Sequence, residues 1–450
     1  MQSSNNLPYS FSTNQFSIRV ISTFGSKILN LGLITAANII IARQLGPTGK
    51  GIVSICLLVP SLIATICHMG IGAANTYYGS KNELLVRRLL RNSLMYGVFL
   101  SIIIAIPYIL FMPFYSGLLG NELTNQYLAI CFCLFPLNLI WGYIGSIMLA
   151  RQTIHELAIG RVLHNTIYLI LVVVTIYFFK FEATAVLLAM LVAGLTEIFW
   201  DIHVIRNYLS LKMQPDFALL KKQFTYGIKG HVGNLFDFVN NRLDIFFVTY
   251  FLTVSEVGIY SISVLLAELI FYIPSAASTV LFPVTAASSN DQANRVTPAV
   301  CRHTFFWSVI AAVILFLIAK PTVEILFTVA FSNSILPLWL LLPGVVSLSI
   351  NRVIANDFMG RGKPILNTYS AGIAALCTII LDIILIPLWG IPGAAIASSL
   401  AYFVSSTFII FFFLRESECR FKELVIPTSD DLRYYSVRLK ALFNFLMEKT

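Results

Sequence analysis

Charge is what this sequence has least of. Only 11% of its 450 residues are Asp, Glu, Lys or Arg, while 58% are hydrophobic and the mean hydropathy is +0.83. Soluble domains carry about a quarter of their residues charged, so a water-soluble globular fold is excluded. Cysteine is scarce too. There are seven, six of them inside apolar stretches, and Cys131 and Cys133 stand two apart on different helix faces. Neither a disulfide framework nor a metal site follows, and no cofactor is expected. The opening MQSSNNLPYSFSTNQFS has no basic n-region before a short apolar core, so no removable signal peptide is predicted. Catalytic signatures are missing as well: GRGKP (360–364) lacks a P-loop frame, and no serine elbow or paired metal-ligand motif occurs. The chain is not expected to be an enzyme.

What is present is a series of long apolar runs. A membrane span needs about 20 mostly apolar residues. Twelve such runs lie at roughly 18–43, 51–78, 92–115, 124–150, 161–180, 183–205, 227–252, 256–286, 301–320, 334–358, 367–388 and 390–414. The net charge of +9 is not gathered into a nucleic-acid-binding patch; the basic residues fall between the runs. The connections after even-numbered spans hold fifteen Lys and Arg, and those after odd-numbered spans only Arg43, Lys50, Lys180 and Lys320. By the positive-inside rule the even loops and both termini are cytoplasmic. The domains expected are an N-lobe (1–205), a basic cytoplasmic connector (206–226), a C-lobe (227–414) and a cytoplasmic tail (415–450). The end of that tail has the helical spacing of an interfacial helix.

The chain also repeats itself. LGPTGKGIVSICLLVPSLI (45–63) lies without a gap on LTVSEVGIYSISVLLAELI (252–270), eight of nineteen positions being identical at an offset of 207. The match relates spans 1–2 to spans 7–8. An interval of six spans preserves orientation, so two lobes form a parallel repeat about an axis along the membrane normal. The fold class is therefore an all-α polytopic membrane protein of about twelve spans in two lobes of six.

Polar side chains inside the spans are costly and mark candidate sites. In span 7, Asp237, Asn240, Asn241 and Asp244 share one helical face, and Arg242 points roughly 140–160° away from the two aspartates. Span 8 carries Glu268, span 10 Arg352 and span 11 Asp382. In the first lobe, Lys27 and Asn30 lie on span 1, and His68 and Asn75 on span 2. Such stripes serve either as glue between helices or as the wall of a polar cavity. Glu197, Asp201 and Asp357 lie near cytoplasmic helix ends, where they are expected to reach headgroups and water.

The segments IARQLGPTGKG (41–51), VGIYSISVLLAELIFYIPSAASTVLFPV (257–284) and NDFMGRGKP (356–364) resemble bacterial polysaccharide, or O-antigen, flippases. These form the polysaccharide transporter branch of the superfamily that also holds multidrug and toxic-compound extrusion exporters and the peptidoglycan precursor flippase. The resemblance implies a V-shaped cavity opening alternately to each side of the bacterial inner membrane. It implies as cargo an oligosaccharide linked by pyrophosphate to a polyprenol, moved from the cytoplasmic to the periplasmic leaflet. A polysaccharide polymerase and a chain-length regulator are the partners it suggests. Substrate-binding candidates are then Lys27, Asn30, His68, Asn75, Asn240, Asn241, Arg242, Glu268 and Arg352.

Such flippases are expected to have a mainly cationic cavity, whereas here acids stand beside the cations. Those acids either pair with the cations or bind H⁺ or Na⁺, with Asp237, Asp244 and Asp382 as the ion-coupling candidates. Two competing readings are a cation-coupled multidrug exporter of the same superfamily and a non-transporting scaffold of a polysaccharide synthesis complex.

Overall fold

A computed structural model describes residues 13–110, 123–179, 182–209, 214–428 and 431, and every regular element among them is a helix. Helix α1 (Thr13–Cys67) has 55 residues. At 1.5 Å per residue it is about 80 Å long, more than twice the ~30 Å hydrocarbon core, so it holds two passes. The break between them is Gly46, at φ 65° and ψ −173°, followed directly by Pro47. Ten stretches of the described residues are long and apolar enough to cross a membrane, α1 being one of them. Its second pass and the charge-bearing α7 (Phe217–Phe251) bring the spans to the expected twelve.

Contacts divide the chain into two units, Met1–His231 and Val232–Thr450. The first holds α1, α2 (Ile71–Lys81), α3 (Glu83–Leu110), α4 (Asn125–Ala150), α5 (Ile154–Phe179), α6 (Ala183–Ile205) and the start of α7. One core joins Leu89 and Leu90 of α3, Ile147 and Met148 of α4, Leu157 of α5, Ile205 of α6 and Leu219 of α7. The expected connector thus packs as part of the first unit, and the division falls inside α7, a few residues beyond the predicted start of the second lobe. Side chains on the outer face are apolar as well. Phe99, Ile102, Ile106 and Ile109 of α3 recur every three or four residues and are about 60% exposed, the stripe of a helix facing lipid.

The second unit holds the rest of α7, then α8 (Val254–Glu268), α9 (Tyr272–Ala287), α10 (Asn290–Phe327), α11 (Ile335–Gly360), α12 (Ile365–Trp389), α13 (Ile391–Ser417) and the short α14 (Phe421–Val425). Its core joins Leu281 of α9, Cys301 of α10, Val353, Ile354 and Phe358 of α11, Ile409 and Phe413 of α13, and Leu424 of α14.

The two units repeat in backbone detail. At the 207-residue offset Gly46 aligns with Thr253, which N-caps α8 through a reciprocal capping box with Glu256. Both positions interrupt the helix, one by a left-handed glycine and the other by a cap. A second correspondence lies at an offset of 210. After α4, Gln152 N–H donates to Leu149 O and Thr153 N–H to Met148 O; after α11, Gly362 N–H donates to Met359 O and Lys363 N–H to Phe358 O. These are the paired 5→2 and 6→1 bonds of a Schellman turn. The left-handed residue is Gly362 at φ 75° in the second copy and Gln152 at φ 59° in the first. A side chain with a Cβ is strained there by about 1 kcal/mol. Gln152→Gly is therefore expected to raise stability by up to about that amount, read as a higher melting temperature in detergent.

The interfacial helix expected towards the C-terminus falls, apart from Asp431, outside the described residues. Asp431 itself is anchored. It accepts from Arg302 Nε at 2.5 Å, lies 3.4 Å from His303 Nε2, and caps Thr428, whose N–H donates to it at 2.8 Å. Burial opposes its charge, but hydrogen bonds from Arg302 and Thr428 hold the carboxyl well below the usual carboxylate range. A depressed carboxyl contributes stability that is full above its ordinary value and is lost as pH falls through the folded value. Protection of the Thr428 amide against hydrogen exchange should thus survive to below about pH 4, and Arg302→Met should move its loss to higher pH.

Candidate functional site

In the second unit α7 has two polar sides. The buried side faces α12 and α13. Asn240 Oδ1 accepts from Thr378 Oγ1 at 3.2 Å. One turn on, Asp244 accepts from the Tyr260 hydroxyl at 2.7 Å, from Ser398 Oγ at 3.3 Å and from its neighbouring backbone, Ile245 N–H, at 2.8 Å. One turn beyond Thr378 lies Asp382, 0% exposed, with neither carboxylate oxygen hydrogen-bonded among the described residues. The charge that acts on Asp382 is that of Asp244. Two buried carboxyls thus stand close together on α7 and α12, with the Tyr260 and Ser398 hydroxyls bonded to Asp244. Burying two like charges side by side is costly in a medium of low dielectric, and Arg242, two residues from Asp244, is the cation that acts on it. No cluster of three or more His, Cys, Asp or Glu suited to a transition metal occurs among the described residues.

The other side of α7 is accessible. Arg242, about two-fifths exposed, forks onto Glu268, with Nη1–Oε1 at 3.3 Å and Nη2–Oε2 at 3.5 Å. Glu268 ends α8, where a 3₁₀ turn (Leu269–Phe271) delivers Phe271 beside it. The Arg352 guanidinium of α11 stacks 4.1 Å from the centre of the Phe271 ring. Arg352 also feels the charges of Glu268 and Asp237, and Asp237 is exposed. The four-residue stripe read from the sequence is therefore divided: Asn240 and Asp244 turn inward, while Asp237 stands with the accessible arginines. Asn241 donates to Asp237 O within its own helix at 2.6 Å.

The first-unit candidates are dispersed. Lys27 is exposed on α1, and Asn30 accepts from Asn165 of α5 at 2.7 Å. His68 stacks on Tyr143, ring centroids 4.8 Å apart, and lines a cavity of about 310 Å³ with Thr76, Trp141, Ser146 and Arg161. Asn75 is 0% exposed and closed into a network. It donates to Ser93 and Ser146 at 3.0 Å each and accepts from Gln223 at 2.7 Å, while Asn92 bonds Gln223 at 3.2 Å. That network ties the start of α7 to α2, α3 and α4. Asn75→Ala leaves several buried partners unmatched and is expected to cost about 2–3 kcal/mol of stability, read by thermal unfolding.

Three acids and one cation differ from their expected settings. Glu197, Asp201 and Asp357, read as reaching headgroups and water, are 3%, 0% and 0% exposed. Asp357 is held by Arg361 at 2.7 Å and by Thr297 at 2.9 Å. Glu197 accepts from the Trp141 indole at 2.8 Å and lies 3.1 Å from His164 Nδ1. Lys50, counted as a loop charge, is buried and donates to Asn38 at 2.6 Å. Distance from a helix end was the wrong measure of exposure for all four. The signal that finds the Glu197 group is its spacing: acids at 197 and 201 on one helix, and Arg161 with His164 on the next.

Fold and composition together define a polytopic α-helical membrane protein. Residues 40–336 match the family described as "Polysaccharide biosynthesis protein". The chain belongs to that family. It is 27% identical over 233 residues to "Uncharacterized membrane protein MJ1068" of Methanocaldococcus jannaschii, covering 48% of this chain and 46% of that protein. It is 22% identical over 229 residues to "Probable low-salt glycan biosynthesis flippase Agl15" of Haloferax volcanii, covering 50% and 48%. The chain thus spans about half the length of the curated relatives it matches. Among solved structures, lipid II flippase MurJ in an inward closed conformation superposes with a TM-score of 0.72 at 16% identity, covering 88% of this chain and 89% of that one. An inward-facing multidrug resistance transporter of the MATE family gives 0.69 at 14% identity, covering 89% and 98%. At these identities the likeness carries the fold alone.

Proposed function

We propose that the chain is a flippase that moves a lipid-linked oligosaccharide across the cytoplasmic membrane for surface glycan synthesis, driven by H⁺ or Na⁺. The observation that carries this reading is the two-sidedness of α7. Its accessible side offers two guanidiniums, Arg242 and Arg352, each with an acid acting on it. A pyrophosphate group is a better partner for a guanidinium than a carboxylate is, carrying more charge and more acceptor oxygens. The cargo's anion displaces Glu268 from Arg242, and Asp237 and Glu268 take the cations back when it leaves. The arginines are thus never left unpaired at a depth where that is costly.

The acids divide accordingly. Glu268 and Asp237 serve as exchangeable partners of the arginines, and Asp244 with Asp382 serves as the cation site. Arg242 and Asp244 are two residues apart on one helix, so loading the hidden pair alters the field at the accessible arginine. The expected cytoplasmic placement of both termini and the cytoplasmic-to-outer direction of transport belong to this reading. A polyprenol carrier, the lipid that the family resemblance implies, belongs to it as well.

Two outcomes test the reading. Arg242→Ala should lower surface glycan by at least about ten-fold, the worth of 1.4 kcal/mol, with protein level unchanged and lipid-linked precursor accumulating. Normal glycan in that variant would remove Arg242 from the site. Asp244→Asn and Asp382→Asn should each abolish the dependence of transport on pH or Na⁺ in vesicles; a dependence equal to wild type rules out the buried pair as the coupling site.

A further inference from the structure

A second group of charges lies in the first unit, two buried acids beside a partly buried histidine and an exposed arginine. On α6, Glu197 and Asp201 are one turn apart and 3% and 0% exposed. On the adjacent α5, Arg161 and His164 are three apart. The Trp141 indole of α4 donates to Glu197 Oε1 at 2.8 Å, and His164 Nδ1 lies 3.1 Å from Glu197 Oε2. Arg161 lies over the Trp141 ring, 5.5 Å from its centre. Asp201 approaches α5 so closely that a Cβ on Gly160 would sit 3.0 Å from Asp201 Oδ1. Yet neither Asp201 oxygen has a hydrogen-bond partner among the described residues.

We propose that Asp201, Glu197, His164 and Arg161 form a proton-binding site in the first unit, distinct from the Asp244–Asp382 pair. The argument is one of charge balance. Two carboxylates face one guanidinium, and the charges acting on Asp201 are those of Glu197 and Arg161. A net buried negative charge is expensive in a medium of low dielectric, and one added proton makes the group neutral. Placed on Asp201, that proton gives the carboxyl a donor of its own. Around the cluster stand Tyr168, whose ring lies 6.5 Å from that of His164, His68 on the shared cavity wall, and His203, whose ring lies 6.4 Å from that of Trp200. Trp200, next to Asp201 on α6, donates to the backbone oxygen of Glu156 at 3.0 Å. On its remaining side α5 meets α1 through the amides of Asn165 and Asn30.

The site borders a cavity. Trp141 and Arg161 line the cavity of about 310 Å³ that also contains His68, Thr76 and Ser146. Room of that size admits water, and His68, Thr76, Ser146 and Arg161 are the polar groups on an otherwise largely apolar wall. The indole that senses Glu197 and the guanidinium that offsets Asp201 are thus both on the cavity wall. Protonation and release change the partners of two wall residues at once. This inference does not rest on the substrate or on the role given to Arg242.

Trp141 is a built-in reporter, because its N–H bonds the carboxylate whose partner titrates. Full-length protein in detergent is titrated by tryptophan emission, and the curve for Trp141→Phe is subtracted. The difference should show a single transition above about pH 4, the ordinary carboxyl value, because burial disfavours the charged carboxylate. Asp201→Asn should remove that transition or move it by about one pH unit, a ten-fold change in proton affinity. Arg161→Gln should move it to higher pH, by taking away the offsetting charge. A wild-type difference curve that is flat overturns the proposal, whatever the variants do. So does a transition unmoved in Asp201→Asn or, where that protein does not fold, in Arg161→Gln.

Discussion

The structure depends on one constraint: a charge in hydrocarbon must be matched within a few ångströms or neutralised. The ionic groups of the two units meet it to different degrees. Asp357 takes a guanidinium and a threonine hydroxyl, and Lys50 takes an asparagine oxygen. Arg242 and Glu268 take each other at an accessible position, where the pairing is exchangeable. Asp382 and Asp201 do neither, each being buried without a hydrogen bond among the described residues. The proposed function rests on this inequality between satisfied and unsatisfied charges more than on any single motif.

The satisfied polar groups have a different task. Asn75, Ser93, Ser146, Gln223 and Asn92 saturate one another, so they fix helix positions without reserving capacity for a ligand. Lipid tails are as apolar as the helices, and hydrogen bonds between helices therefore contribute specificity that hydrophobic burial does not. The start of α7 is seated on the first unit by this network, which is why a stretch that looks like a linker in sequence behaves as part of a core.

Much of the fold was legible before any coordinates. Twelve apolar runs became twelve passes because length and hydropathy are properties of the chain itself. The 207-residue repeat was legible as well, and its backbone counterpart is the helix break at Gly46 and Thr253. On α7 the angular separation of Arg242 from Asp244 was readable from helical geometry. What could not be read was which neighbour each face meets. Asp237 and Asp244 share a stripe in projection yet end in different surroundings, since α12 covers only the inner part of that stripe. Glu197 and Asp201 were hidden for a related reason. Their partners stand thirty or more residues away, and only packing of α4, α5 and α6 brings Trp141, Arg161 and His164 to them.

The paired Schellman turns after α4 and α11 reach beyond local geometry. Their hydrogen bonds coincide position for position, while of the three residues in each turn only the leading arginine, Arg151 and Arg361, is shared. The left-handed residue has drifted to glutamine in one copy and is glycine in the other. A duplicated ancestor that retained its wiring while its letters diverged leaves such a mark. The two turns are in effect homologous modules within one polypeptide, and exchanging one for the other would swap spelling without rewriting the circuit.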